Sequence, residues 1–253
     1  MLDIKQGIRK QFEAALAQRH VFDFYGMERG GHHAIVQWLL ACGPQPSGMV
    51  TRAATNKPGI RFYHPSGWYT TAIAGPKTVA LSYGADVALP PTESRIATQR
   101  AVLCVRDVRN LLASRKRWGQ SAGRPSPFRI DTLATHLWAM YAKQVLGDAD
   151  YFEGRCVGIC YDRWFISAEY RAKIIVQLNE RFGWNMNVEA GEEQRMRVSM
   201  PGGGSSFDGA KFDGNAHTMK VLERWKAYAN NPIIKKLLTP DVLELNVRLL
   251  AET

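Results

Sequence analysis

The segment Glu28-Arg29-Gly30-Gly31-His32-His33 holds the residues of this chain best suited to chemistry. A guanidinium offers forked N–H donors to a phosphate or sulfate. The glycines let backbone N–H groups turn toward one anion, and a helix starting at the histidines adds its own N-terminal amides. A second set, Arg106-Asp107 with Ser114, has the same bias. An arginine at a strand tip and a serine two turns into the next helix grip one phosphate from two directions, each charged contact contributing about 1.5–3 kcal/mol. Two anion sites on separate strand–helix units predict one ligand with two separated phosphates. Taken alone, the first loop also fits a tight strand–helix turn with no ligand.

The loop does not suit a nucleoside triphosphate with its metal. A G-x-x-x-x-G-K-[ST] loop supplies a lysine for the β/γ-phosphates and a hydroxyl for Mg²⁺. In this chain the cation precedes the glycines, and histidines stand where hydroxyls would be. Metal-assisted phosphoryl transfer is disfavoured, and no metal site is expected. The cysteines Cys42, Cys104, Cys156 and Cys160 lie in apolar surroundings and read as small core residues in a reducing, cytoplasmic protein.

Alternating helical and strand-like segments must position these residues, which predicts an α/β domain with a mainly parallel sheet. A strand near 20–27 feeds a helix near 32–42 through the first loop. Strand-like pieces recur near 59–64 and 78–83 within a Pro-, Gly- and Thr-rich region. Strand AVLCVRD leads into a helix with Val108, Leu111 and Leu112 inward and Asp107 as its cap. A helix over about 130–146 carries Ile130, Leu133, Leu137 and Tyr141 on one face, and strand 155–161 precedes a helix to about Phe182. Residues 190–216 lack periodicity and read as a mobile loop, after which Val221, Leu222, Trp225 and Tyr228 form a helical stripe. An amphipathic helix is expected over about 3–17. Trp38, Trp138, Trp164 and Trp225 read as packing residues.

The 253 residues are read as a single domain, 1–253, with no membrane span or secretory signal. A net charge of +10 attracts polyanions, yet only Arg115-Lys116-Arg117 cluster, so charge alone decides nothing. It motivates a nucleic-acid-binding alternative, but no helix-turn-helix, RNA-binding or zinc signature accompanies it, so no nucleic-acid partner is expected.

In their order and spacing, these motifs resemble the sulfotransferases that use 3′-phosphoadenosine 5′-phosphosulfate (PAPS). The early loop of that family, (P)-K/R-S-G-T-T, is matched by Arg29-Gly30-Gly31-His32-His33 with both threonines replaced. The family motif R-D-P-x-x-x-x-x-S is matched by Arg106-Asp107 and Ser114, with Val108 in place of proline. Tyr161, opening YDRWF, is similar to the aromatic residue set against adenine. GGGSSFDG followed by LERWKAY looks like the late cofactor-covering loop, which brings Ser205 and Ser206 into the expected site. The resemblance covers about Val21 to Tyr228 and implies a P-loop nucleotide-kinase-like sulfotransferase fold.

It further implies in-line transfer of a sulfuryl group to a hydroxyl or amine of a small-molecule or glycan acceptor, leaving adenosine 3′,5′-bisphosphate. Arg29 would stabilise charge on the leaving oxygen. Gly30, Gly31, His32, His33 and Ala34 would cradle the 5′-phosphosulfate, with Arg106 and Ser114 holding the 3′-phosphate. A general base is needed. His64 and His33 are the candidates, with Glu93 behind them, while His20 and His136 are bystanders. Trp68 and Tyr69 fit the wall of an acceptor pocket. The alternatives are a nucleotide or small-molecule kinase of related architecture and a family member that binds without catalysing.

Overall fold

The computed structural model describes residues 20–44, 47–52, 60–64, 67–69, 78–83, 86–91, 98–121, 128–198, 205 and 207–251. The expected helix over about 3–17, Glu93 and Ser206 lie outside them. In chain order the elements are β1 (His20–Gly26), α1 (His32–Cys42), β2 (Ser47–Arg52), β3 (Ile60–His64), β4 (Gly67–Tyr69) and β5 (Thr78–Tyr83). They continue with β6 (Ala101–Val105), α2 (Val108–Ser121), α3 (Thr132–Leu146), β7 (Cys156–Cys160), α4 (Tyr161–Ile166), α5 (Ala168–Phe182), α6 (Val188–Arg195), α7 (Pro232–Leu237) and α8 (Pro240–Ala251). Among the described residues no helix is long and apolar enough to cross a membrane.

The strands form one seven-stranded sheet in the order β4-β3-β2-β5-β1-β6-β7. The five from β2 to β7 run parallel, and β3 and β4 add an antiparallel hairpin at one edge. The α/β expectation therefore holds, with a mainly parallel sheet flanked by helices.

Each central strand alternates between two cores, as a pleat buried on both faces requires. Phe22 and Phe24 of β1, Val102 and Cys104 of β6, and Val157 and Ile159 of β7 pack toward α1 and α5. Tyr25, Leu103, Val105, Cys156 and Cys160 point the other way, toward α2, α3, α7 and α8. A buried Phe or Leu contributes about 1.5–3 kcal/mol in such a core. All four cysteines are buried and free, and burial pushes the Cys160 thiol up to about 12, so it is an inert core thiol at neutral pH.

Crossovers leave β1 toward β2 on one side and reach β6 on the other. That reversal puts the switch point, the place where a crevice of an open α/β sheet takes its ligand, outside the carboxyl ends of β1 and β6.

Four details depart from the sequence reading. Leu133 is 42% exposed, because the buried stripe of α3 runs through Ala134, Leu137, Trp138 and Tyr141 instead. The helix after β7 is two helices, broken where the Ser167 hydroxyl caps α5 by accepting the N–H of Tyr170 at 3.0 Å. Residues 188–195 are helical rather than loop, capped by Asn187 and seated on α1 at Gly191. Residues 224–228 form a 3-10 turn, not an amphipathic helix, and Trp225 is half-buried beneath Arg109 rather than in the core. Trp38, Trp138 and Trp164 are core residues as expected.

Candidate functional site

The loop after β1 is built from backbone constraints. Gly30 N–H donates to Met27 O at 2.9 Å, closing a turn, and a Cβ at Gly30 would stand 2.8 Å from that same carbonyl. Arg29 and Gly31 both take positive φ, 67° and 85°. Alternation of this kind points successive amides into one concavity. Gly31 then opens α1, whose first turn has no side-chain cap and no acidic residue. The orphan amides of a helix start and its positive dipole end are thus turned toward the crevice.

Arg115 anchors this loop from below. It is completely buried (0% exposed), and donates to Glu28 O at 3.0 Å, Arg129 O at 3.0 Å and Asp86 Oδ1 at 2.6 Å. Asp86 also accepts the Glu28 N–H at 3.0 Å, so one carboxylate ties arginine and loop together. The basic run 115–117 is therefore not a surface cluster, because its first member is committed to the foundation of the loop.

At the tip of β6, Arg106 is 4% exposed. Its Nη2 donates to Val221 O at 2.7 Å and its guanidinium lies 4.9 Å over the Tyr161 ring. Asp107 caps α2 as the sequence predicts, accepting the Asn110 N–H at 2.8 Å. Asn246 of α8 completes that cap, accepting from Val108 N–H at 2.9 Å and donating to Asp107 Oδ2 at 3.0 Å. Ser114 lies one turn beyond Asn110 on the buried face of α2.

The segment 207–228 straps the crevice. Asn110 holds it from α2 through Leu222 O at 3.0 Å and Trp225 N–H at 3.1 Å. It brings in Arg224, which pairs with Asp208 at 2.6 Å and stacks 5.0 Å over Phe207. The Ser205 hydroxyl is engaged inside this strap, accepting from Phe207 N–H, Asp208 N–H and Arg224 Nη2.

Arg29, Arg106 and Arg224 converge. Burial first, then the Arg106 charge, pulls both the Arg29 and Arg224 guanidinium groups below their ordinary range. Guanidinium groups stay protonated in proteins, so the crevice stores mutually repelling positive charge. Asp208 offsets part of it, and Glu28, whose carboxyl is raised by burial and by Asp86, offsets little. A bound dianion would relieve that repulsion. Arg224 escaped the sequence reading, although it stands in the quoted LERWKAY next to a tryptophan.

His32 and His33 pack ring to ring at 4.0 Å on the first turn of α1. Burial pushes His32 down to about 4 and His33 well below its usual range, with the Arg29 charge acting on both. Both are neutral at physiological pH, able to donate or accept one hydrogen bond. His32 Nδ1 is buried with no hydrogen-bond partner among the described residues.

Tyr161 forms a wall between the two motifs. A Cβ on Gly31 would come within 2.3 Å of its ring, and the ring is only 5% exposed. It supports Arg106 and the loop, leaving little face for a base to stack on.

Two expectations fail on the sheet register. His64 ends β3, which runs antiparallel to β2. It therefore lies level with the start of β1, about five residues or ~16 Å along the strands from Gly26, at the opposite edge of the sheet. The antiparallel register of β3 on β2 fixes this, so His64 is separated from the crevice. Trp68 and Tyr69 belong to β4, the outermost strand, rather than to a loop beside the site. His136 is exposed, and His20 stacks on Trp184 at 5.3 Å. Among the described residues no cluster of metal-ligating side chains exists.

No protein-family description matches the chain, and no curated protein matches it in sequence. Among solved structures it is similar to mouse sulfotransferase SULT7A1 complexed with PAP, at a TM-score of 0.49 and 11% identity, over 94% of this chain and 90% of that one.

Proposed function

We propose that this protein is a PAPS-dependent sulfotransferase, moving a sulfuryl group to a hydroxyl or amine of a small-molecule or glycan acceptor in a reducing, cytoplasmic setting. The carrying observation is the convergence of Arg29, Arg106 and Arg224 on the uncapped start of α1, in a sequence whose motifs resemble that family. The donor set fits a bisphosphorylated adenosine. Arg106 Nε and His32 Nδ1 are buried without hydrogen-bond partners among the described residues, and the local charge is positive.

When bound, PAPS supplies the sulfuryl group. The loop amides of Gly31, His32 and His33, with the His32 and His33 rings, hold its 5′ end, while the Gly30 and Ala34 amides brace the loop through Met27 O and Gly31 O. Arg106 and Ser114 hold the 3′-phosphate, and Arg224 adds a third cation from the strap. Arg29 stabilises the oxygen that gains charge as its bond to sulfur breaks and the acceptor's bond to sulfur forms. His33, neutral at physiological pH, accepts the acceptor's proton.

Thermal stabilisation tests the reading. Adenosine 3′,5′-bisphosphate at about 100 times its Kd should stabilise the fold by about 2.7 kcal/mol, whereas ATP with Mg²⁺ should do far less. Equal stabilisation by both would favour a kinase, and no response to the bisphosphate would reject the proposal. Transfer of labelled sulfate from PAPS across a panel of phenols, alcohols, amines and glycans then identifies the acceptor; binding without transfer would reduce the protein to a nucleotide-binding relative.

A further inference from the structure

One buried carboxylate beside the crevice has no part in the reaction described above. Asp162 is the second residue of α4, is 4% exposed, and points at the tip of β6. Its Oδ2 accepts the Asp107 N–H at 2.6 Å, while Oδ1 has no hydrogen-bond partner among the described residues. Arg106, adjacent to Asp107, is buried with Nε in the same condition. Arg106 and the backbone N–H groups of Asp107 and Asp162 favour the ionised Asp162, and the Asp107 charge opposes it; Cys104 of β6, Cys160 of β7 and Tyr161 in turn feel the Asp162 charge, and Arg224 reaches Arg106 and Tyr161 from the strap. One guanidinium therefore serves two anionic neighbours, the permanent carboxylate and any ligand.

We infer that Asp162 is a positioning residue of the anion site, and that its Oδ1 takes up a proton from solvent when a dianion binds against Arg106. The inference rests on the anion-site reading given above. Without ligand, Arg106 is the main group favouring the ionised carboxylate, while burial and Asp107 oppose it, leaving Asp162 at about 6. An incoming dianion occupies the same cation and adds negative charge nearby, so the ionised form loses its support. Oδ2 is committed to the Asp107 amide, which leaves Oδ1 to receive the proton. Reciprocity then requires affinity to rise as pH falls. The protonated carboxyl keeps the Asp107 amide bond that orients Arg106, without competing for its charge.

Inorganic sulfate is the probe, because a phosphate monoester itself titrates with a pKa of about 6. Calorimetric titration with sulfate, displaced by adenosine 3′,5′-bisphosphate, is run in two buffers of different ionisation heat. Wild-type protein should take up a substantial fraction of one proton per sulfate. Its affinity should rise several-fold, at most about tenfold per pH unit, from about pH 7.5 to about pH 5.5. D162N should bind sulfate with that slope removed. H32Q/H33Q, which removes the imidazoles at the neighbouring 5′ end of the site, should keep the uptake, and this variant decides the matter if D162N does not fold. Sulfate binding without proton uptake, or a D162N slope equal to wild type, overturns the role of Asp162 and leaves the anion site standing. Failure of sulfate and bisphosphate to bind at any pH overturns both.

Discussion

Arg106 joins the strap, the Tyr161 wall and the anion site. It holds the strap through Val221 O, stacks on Tyr161 and leaves donor capacity in the crevice. Replacing it with alanine should weaken adenosine 3′,5′-bisphosphate binding by one to two orders of magnitude, from about 1.5–3 kcal/mol per charged contact. Isothermal titration measures this directly, and unchanged affinity would take Arg106 out of the site. Arg29→Ala should instead lower kcat more than it lowers bisphosphate affinity, because its main partner exists only in the transition state. Equal losses would assign it to ground-state binding. These two arginines could be read from sequence because each sits at a strand–helix junction. Arg115 and Arg224 could not be read in this way. Arg115 draws its partners from Glu28, Asp86 and Arg129, so its burial is a tertiary fact that no local pattern carries. Arg224 was hidden by a helical stripe assigned to a segment that is in fact a 3-10 turn.

At the scale of elements, glycines set the closest approaches. Gly31 faces the Tyr161 ring, and Gly191 lets α6 meet α1 where a Cβ would stand 2.4 Å from Cys42 Sγ and 2.6 Å from the Trp38 ring. Gly191→Ala should therefore destabilise the fold by about 1–3 kcal/mol, the usual cost of overpacking, with bisphosphate affinity per folded molecule unchanged. Urea unfolding checks the first part, and an unaltered midpoint would show that the helices separate freely. Gly31→Ala adds positive-φ strain to a clash with Tyr161, so it should impair both stability and anion binding. The β-α units around the crevice were legible because apolar alternation and the Asp107 cap are local signals. Helix α6 was missed because its sequence, VEAGEEQR, is polar on nearly every side. Its helicity comes from the Asn187 cap and from Arg171, which reaches Glu192 with Nη2 at 2.9 Å. The placement of His64 turned on the direction of β3, and antiparallel pairing with β2 leaves no mark in composition.

For the whole molecule, two buried groups give opposing pH dependences. His32, at about 4 when folded against an ordinary 6.5, refuses a proton that the unfolded chain binds. Its contribution to stability is lost as pH falls from about 6.5 toward 4. Asp162, at about 6 against 3.8, keeps a proton that the unfolded chain releases, so its contribution grows as pH falls from about 6 toward 4. The stability of H32Q relative to wild type should therefore rise steadily on acidification across the His32 window. Urea midpoints at several pH values measure the difference, and a constant difference would mean that His32 titrates normally in the fold. The strap, α8 and the sheet also impose an order of assembly. Asn246 supplies part of the α2 cap from 139 residues downstream of Asp107, and Val221 steadies Arg106 from 115 residues away. During synthesis a ribosome-bound chain can pair its strands well before these two residues have emerged, so nascent protein should pass through a stage with a finished sheet and no competent anion cradle.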